Sequence, residues 1–328
     1  MKYKLSKLVG YAILCLPFTF AATAANTEAY PSQPIHWVVP YAAGGGTDIV
    51  ARKIASELTE VLKQPIVIEN RPGASGSIGV MSVVRAKPDG YTMLITHSAP
   101  IIQNPLIFKD LTYDPQVDLV PVSALSRGQQ VLLVNDSVPA NDLNEFIEYA
   151  KENTDTMAFA SWGNGTVSHY AGEYLNKIAG LQMIHVPYQG TAPAMQGLLS
   201  NQVPASFLDP ATVKPQVDAG DLKALAVAGN NRSPALPDTP TFKELGMPEM
   251  IPFGGWIGIL APAGTPQEIV DLMSKATTDI VKRDEVSVWM NERGYVPSTE
   301  DSATLTATID DESTRWKNIF EAVGVEPQ

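Results

Sequence analysis

The stretch Ile35-His36-Trp37-Val38-Val39-Pro40-Tyr41-Ala42-Ala43-Gly44-Gly45-Gly46-Thr47-Asp48-Ile49-Val50 decides the architecture of this chain. Its first five residues are nearly all apolar and β-favouring, which reads as a buried strand. Gly44-Gly45-Gly46 then makes a turn in which the backbone can take positive φ or come close to a ligand. Beyond Asp48, the apolar residues Ile49, Val50, Ile54, Leu58 and Leu62 recur at helical spacing until Pro65 stops the pattern. A strand passing through glycine into a helix is the first half of an α/β crossover.

The same unit recurs downstream. Ile66-Val67-Ile68 reads as a strand, 70–73 as a loop, 75–85 as a helix, Lys87-Pro88-Asp89-Gly90 as a turn and 91–96 as a third strand. Three strands joined by two helical crossovers predict a parallel sheet with its loops along one edge. A second set follows, with strands at 131–134, 157–161, 183–186, 205–208 and 222–228. Helices are expected over 141–151 and from the turn Gly163-Asn164-Gly165-Thr166 to Gly180. The proline-rich stretch 233–252 reads as an irregular connection, 256–261 as a strand and 266–282 as an amphipathic helix. Leu305, Ile309, Trp316 and Ile319 return to helical spacing. The fold expected is α/β and two-lobed, with a ligand cleft between the lobes. Two hinge crossings are placed near 125–130 and 252–255. Residues 26–126 and 253–328 make the first lobe, on which the C-terminal helices pack, and 127–252 make the second.

Lys2, Lys4 and Lys7, an apolar run over 8–20 and Ala22-Thr23-Ala24-Ala25 have the pattern of a secretory signal peptide over 1–25, cleaved near Ala24 or Ala25. The run is short for a bilayer span and Pro17 interrupts it. Cys15 is the chain's one cysteine, so the exported form has neither a disulfide nor a cysteine nucleophile. The formal charge of −12 becomes −15 without the three leader lysines, which excludes nucleic acid and anionic membranes as partners. An anion can still be held by backbone N–H groups.

Four turns offer such groups: 40–48, 72–76, 161–168 and 188–192. Each precedes a helix whose first amides lack intrahelical partners and whose dipole favours an anion. The candidate ligand-binding residues are Tyr41, Ala43, Gly45, Gly46, Thr47, Asp48, Gly73, Ala74 and Ser75 from the first lobe, with Ser98 just after its third strand. From the second come Ser161, Trp162, Gly165, Thr166, Ser168, Thr191 and Asp209. Thr47 and Asp48 serve either as plain helix caps or as caps that also fix the loop against a ligand, and Asp209 is open in the same way.

Rival readings meet specific obstacles. Gly44-Gly45-Gly46 with Glu69 downstream has the order of a dinucleotide site but not the G-x-G-x-x-G spacing, and no P-loop lysine follows. Gly73-Ala74-Ser75-Gly76-Ser77 approaches G-x-S-x-G but ends in serine, with no acid placed to orient a histidine. His36, His97, His169 and His185 have no metal-ligand spacing. The residues therefore point to a binding protein without cofactor or metal, rather than an enzyme.

Several stretches resemble Bug-type receptors, the extracytoplasmic solute-binding proteins of tripartite tricarboxylate transporters. They include Val38-Val39-Pro40-Tyr41 with Gly44-Gly45-Gly46-Thr47-Asp48, Glu69-Asn70-Arg71-Pro72-Gly73-Ala74 and Pro88-Asp89-Gly90-Tyr91-Thr92. Further matches are Gly163-Asn164-Gly165-Thr166 with His169, Val186-Pro187-Tyr188-Gln189-Gly190, Leu236-Pro237-Asp238-Thr239-Pro240 and Ala261-Pro262-Ala263-Gly264-Thr265-Pro266. The resemblance implies a type II periplasmic binding protein-like fold and a monomeric periplasmic receptor that closes by hinge motion on a small carboxylate and delivers it to inner-membrane transporter subunits. Presenting the ligand to a signalling protein is the alternative use of the scaffold. It also implies that the loops 41–48 and 73–75 hold one carboxylate, partly through ordered waters, while Gly165, Thr166, Ser168, Thr191 and Asp209 shape specificity. Ala42-Ala43 departs from the proline-glycine of many members, and Trp162 sits where the family varies.

Overall fold

The computed structural model describes residues 30–188 and 190–327, so the expected leader and its cleavage site lie outside the described residues. The described residues include eleven strands: β1 Ile35–Val39, β2 Ile66–Asn70, β3 Thr92–His97, β4 Leu119–Arg127, β5 Gln130–Val134, β6 Ala158–Ser161, β7 Ile184–Pro187, β8 Ala205–Leu208, β9 Lys223–Ala228, β10 Trp256–Pro262 and β11 Val296–Pro297. They form two sheets, ordered β11-β4-β10-β3-β1-β2 and β7-β6-β8-β5-β9. Each sheet, covered by helices, makes one lobe.

The parallel trio expected from the crossovers is present, with β1 between β2 and β3. Ile35, Trp37 and Val39 pack into one core and Val38 into another, so both faces of β1 are covered. That two-sided burial is why its sequence is an unbroken apolar run. The first sheet as a whole is mixed, because β10 runs antiparallel between β3 and β4. The second is mixed too: β6 is parallel to β7 and β8, and β5 antiparallel to β8 and β9.

β4 passes straight into β5 through Gly128-Gln129, and the chain returns from the second sheet through the 3-10 segment Pro248–Gly254 into β10. These crossings touch. Gly128 N–H donates to the Gly255 carbonyl at 3.1 Å. A β-carbon on Gly128 would collide with the Gly254 carbonyl oxygen, and one on Gly254 with that of Gly128. Arg127, beside the crossing, donates to Glu300 at 2.9 Å and Glu312 at 2.8 Å.

The terminal helix departs from expectation. Ser302–Val323 packs on β4 in the first lobe but also on helix Val167–Ala179 of the second. Its apolar stripe continues past Leu305 and Ile309 to Trp316 and Phe320, which meet Tyr170 and Phe253. The stripe is longer than one lobe can cover, so one hydrophobic core runs across both. Among the described residues no helix is long and apolar enough to cross a membrane.

Candidate functional site

The turn after β1 is held from behind. Asp48 is buried, and its carboxylate accepts from Gly44 N–H (2.8 Å), Arg52 Nε (3.0 Å) and Asn70 Nδ2 (2.9 Å). Asn70 Nδ2 also donates to the Tyr41 carbonyl at 3.1 Å, tying β2 to the turn. Burial raises the Asp48 carboxyl pKa, but the bonds from Arg52, Gly44 and Asn70 outweigh it and hold the group below its ordinary value. Asp48 therefore shapes the loop, while Gly45 caps helix Gly46–Leu62 and Ala43 lies exposed on the turn. Gly46 is packed within its own lobe: a β-carbon there would sit 2.8 Å from the Tyr295 hydroxyl.

The second turn is conformationally unusual. Gly73, Ala74, Ser75 and Gly76 all have positive φ, at 126°, 46°, 52° and 89°. Alanine and serine rarely take such angles, and a strained run is kept only where its surroundings fix it. Asn104, itself buried, supplies one such restraint by donating to the Ser75 carbonyl at 3.0 Å. Tyr41 stacks on His97 with ring centroids 4.5 Å apart, and its hydroxyl meets Thr96 Oγ1 at 3.1 Å. Burial pushes His97 down to about 4, so it is neutral at pH 7.

In the second lobe, Thr166 caps helix Val167–Ala179, accepting from His169 N–H and donating to the Gly163 carbonyl at 2.7 Å. Ser161 is buried with its Oγ 2.6 Å from His185 Nε2. Ser168 commits its hydroxyl to the Phe207 carbonyl at 2.6 Å, so what it can offer the cleft is its backbone amide. Asp209 caps helix Pro210–Ala219 by accepting from Ala211 and Thr212 amides through Oδ1. Burial pushes its carboxyl up to about 6 against those two bonds.

Two cavities lie between the lobes and share His97, Trp162 and Val167 in their walls. The inner one, about 460 Å³, is bounded by Gly46, Thr47, Ser98, Thr191, Asp209 and the hinge segment. The outer one, about 790 Å³, is bounded by Tyr41, Ser75, Asn104, Gly165, Thr166 and Tyr170. Trp162 thus separates two chambers, each with one wall from either lobe. A further groove of about 730 Å³ runs along Ala74, Ile78, Met81 and Phe108 on the first lobe alone. Sequence reasoning missed the hinge-side wall: the pairs Ser126/Gln130 and Arg293/Tyr295 lie far from each other in the chain and carry no local motif. Arg293 stacks over Trp289 at 4.5 Å. Tyr295 is pushed up to about 12 by burial and by Asp209, against the Arg293 charge.

His169, Glu173 and His185 bring potential metal-ligand atoms within 4.8 Å of one another. One nitrogen of each ring is already engaged. Gly165 N–H donates to His169 Nδ1 at 3.2 Å, which puts the proton of the neutral ring on Nε2, and His185 Nε2 faces Ser161. The rings stack 3.8 Å apart, and burial lowers both pKa values, His185 to about 4.

The family model for the tripartite tricarboxylate transporter family receptor, TctC, matches residues 50–325. Protein BugT of Bordetella pertussis is 31% identical, the match covering 92% of this chain and 93% of that protein. Among solved structures, R. palustris Rpa4515 with adipate is 30% identical with a TM-score of 0.78, covering 91% of this chain and 100% of that one. MatC from Rhodopseudomonas palustris, with bound malate, is 33% identical with a TM-score of 0.73, over 88% and 99% respectively.

Proposed function

This chain belongs to the tripartite tricarboxylate transporter receptor family, a family of solute-binding proteins, and on that premise we propose that it captures a small organic carboxylate in the periplasm. The observation that carries the reading is the pairing of turns across one cleft. The amides of Gly45–Thr47 and the strained Gly73–Gly76 run stand on the first lobe, and Trp162–Thr166 with Thr191 on the second. Helix N-termini and consecutive free amides stabilise an anion without a basic side chain, which suits an acidic protein. Relatives solved with adipate and malate support the carboxylate class.

In this reading residues 26–126 and 253–328 form one body, 127–252 the other, and the Gly128–Gly255 contact is their pivot. Closure buries the ligand between the Gly45–Thr47 and Gly73–Gly76 turns of one body and Trp162, Thr166 and Thr191 of the other, and inner-membrane transporter subunits read the closed surface of a monomer. The ligand is bound and released without turnover. The test is calorimetric titration of the leaderless protein with mono- and dicarboxylates. Saturable binding of an acid, lost in Gly46→Val and Thr166→Val, is expected. Acids that bind both variants as well as the parent, or none that bind at all, would sink the reading. Release of a new product from a bound acid or ester, abolished by Ser75→Ala, would make the chain an enzyme instead.

A further inference from the structure

The hinge side of the inner cavity carries polar groups that no described residue satisfies. Ser126 Oγ and Gln130 Oε1 are buried and have no hydrogen-bond partner among the described residues, although their residues are respectively 0% and 4% exposed. Buried polar atoms left unpaired cost about 1–3 kcal/mol each, so a wall that keeps two of them has a use for them. The direction of that use follows from the amide. Gln130 Nε2 donates to the Gln129 carbonyl at 3.1 Å. Turning the amide over would set oxygen against oxygen, so Oε1 is fixed as the free end and it can only accept. Gln129, next in the wall, is held the same way: its Nε2 donates to the Asn231 carbonyl at 2.7 Å and its Oε1 is buried without a partner among the described residues. Asp209 follows the Val131–Leu208 pair that joins β5 to β8, so it stands beside Gln130 on the same wall; it takes two amide bonds at Oδ1 and one from the Thr212 side chain, and its carboxylate keeps lone pairs for a further donor. Donors stand in the same wall: His97 accepts from the Ala99 amide at Nδ1 and so carries its proton on Nε2, and Trp256 Nε1 is buried without a partner among the described residues. The fixed acceptors Gln129 Oε1 and Gln130 Oε1, in a cavity that also holds the amides of Gly46 and Thr47, call for a solute that is an anion at one end and a hydrogen-bond donor near it.

We propose that Ser126, Gln130 and Asp209 form a hydrogen-bond-accepting subsite at the hinge that selects carboxylates bearing an ammonium or hydroxyl donor on a neighbouring carbon. The inference rests on the carboxylate reading of the cleft and adds to it a specificity that adipate, which has no such donor, does not require. Ser126 and Gln130 border the hinge glycines, so a solute bonded to them sits against the pivot. Filling the subsite ties the second lobe's first strand, through Gln130, to the first lobe's β4, through Ser126.

The measurement is competition calorimetry on the leaderless protein with matched triplets of four-, five- and six-carbon dicarboxylates: unsubstituted, 2-hydroxy and 2-amino. A substituted acid is expected to bind about tenfold or more tightly than its plain counterpart, because the plain acid leaves the buried acceptors unpaired. If the amino acids lead, Asp209 dominates and Asp209→Asn narrows the gap. If the hydroxy acids lead, Gln130 and Ser126 dominate and Gln130→Leu or Ser126→Ala narrows it. Equal affinity within every triplet would overturn the subsite, and so would preference undiminished in all three variants, the acceptors then holding structural water only. The comparison within triplets needs only the unaltered chain, so a variant that fails to fold does not blunt it. Binding of no carboxylate in any triplet would instead bring down the reading beneath.

Discussion

Replacing Asp48 by asparagine removes a charge and almost no volume, and the bonds around it set the cost. Gly44 N–H and Arg52 Nε converge on Oδ2, and Asn70 Nδ2 reaches Oδ1. All three partners are donors. A carboxylate suits them all, whereas a carboxamide has a single oxygen. With that oxygen in the Oδ2 position, the new NH2 group faces the NH2 of Asn70. Asn70 cannot turn over to relieve this, because its Nδ2 is also bonded to the Tyr41 carbonyl and its Oδ1 accepts from Arg52 at 3.0 Å. One bond is lost, the Gly44 bond falls to neutral strength and the Arg52 bond keeps only the guanidinium's charge, so D48N should lose about 3 kcal/mol at pH 7. Urea denaturation measures it as a lower midpoint at unchanged slope. The pH dependence carries the sign. The folded pKa of Asp48 lies below its unfolded value, so its stabilisation is complete above that unfolded value and is lost as pH falls through the folded one. The gap between parent and D48N should therefore persist from pH 8 to 5 and close only in stronger acid, below about pH 4. A loss under about 1 kcal/mol, or a gap that closes by pH 6, would refute the account of how this turn is held.

Gly128→Ala should cost about 1–3 kcal/mol and slow closure, since the methyl meets the Gly254 carbonyl and forces the crossings apart; stopped-flow tryptophan fluorescence with a bound acid reads both effects. Ser168→Ala should lower stability by about 1–2 kcal/mol in a melting experiment, by unpairing the Phe207 carbonyl, while leaving the order of preference among acids unchanged. Asp209→Asn keeps the helix cap and removes a carboxyl whose folded pKa of about 6 exceeds its unfolded value. The stability contributed by that carboxyl is present at low pH and lost as pH rises through about 6, so the variant should gain on the parent above pH 6 and not at pH 4. Paired melting curves across that range decide it.

The turns were legible because their signals are local. Glycines followed by Thr47-Asp48, or by Thr166, mark a strand end and a helix cap within a few residues, and the structure puts both at chamber edges. β4 was not legible: Leu119–Arg127 contains Pro121 and alternates poorly, yet it is the longest of the described strands. The sheet absorbs the irregularity through register shifts against β10 at Ile257/Gly258 and Ile259/Leu260, which only its partner reveals. Short helices at Ala99–Ile102, Asn104–Ile107 and Pro115–Asp118, and the helix Asp284–Asn291, also escaped notice. The hinge-side wall was invisible for a third reason. Gln130 reads as the last residue of a crossing, and its significance lies in an oxygen left without a partner, a property of three dimensions.

The terminal helix has a consequence for how affinity is built. With Trp316 and Phe320 lodged against Tyr170 and Phe253, a second lobe that closed would slide on an aromatic bearing instead of swinging free on its two crossings. An unliganded receptor of this kind samples a narrow arc of relative orientations, so closing on a solute forfeits little inter-domain entropy. More of the gross attraction of the cleft then survives as measured affinity, and shaving the bearing by Trp316→Ala would weaken binding at a site that residue never touches.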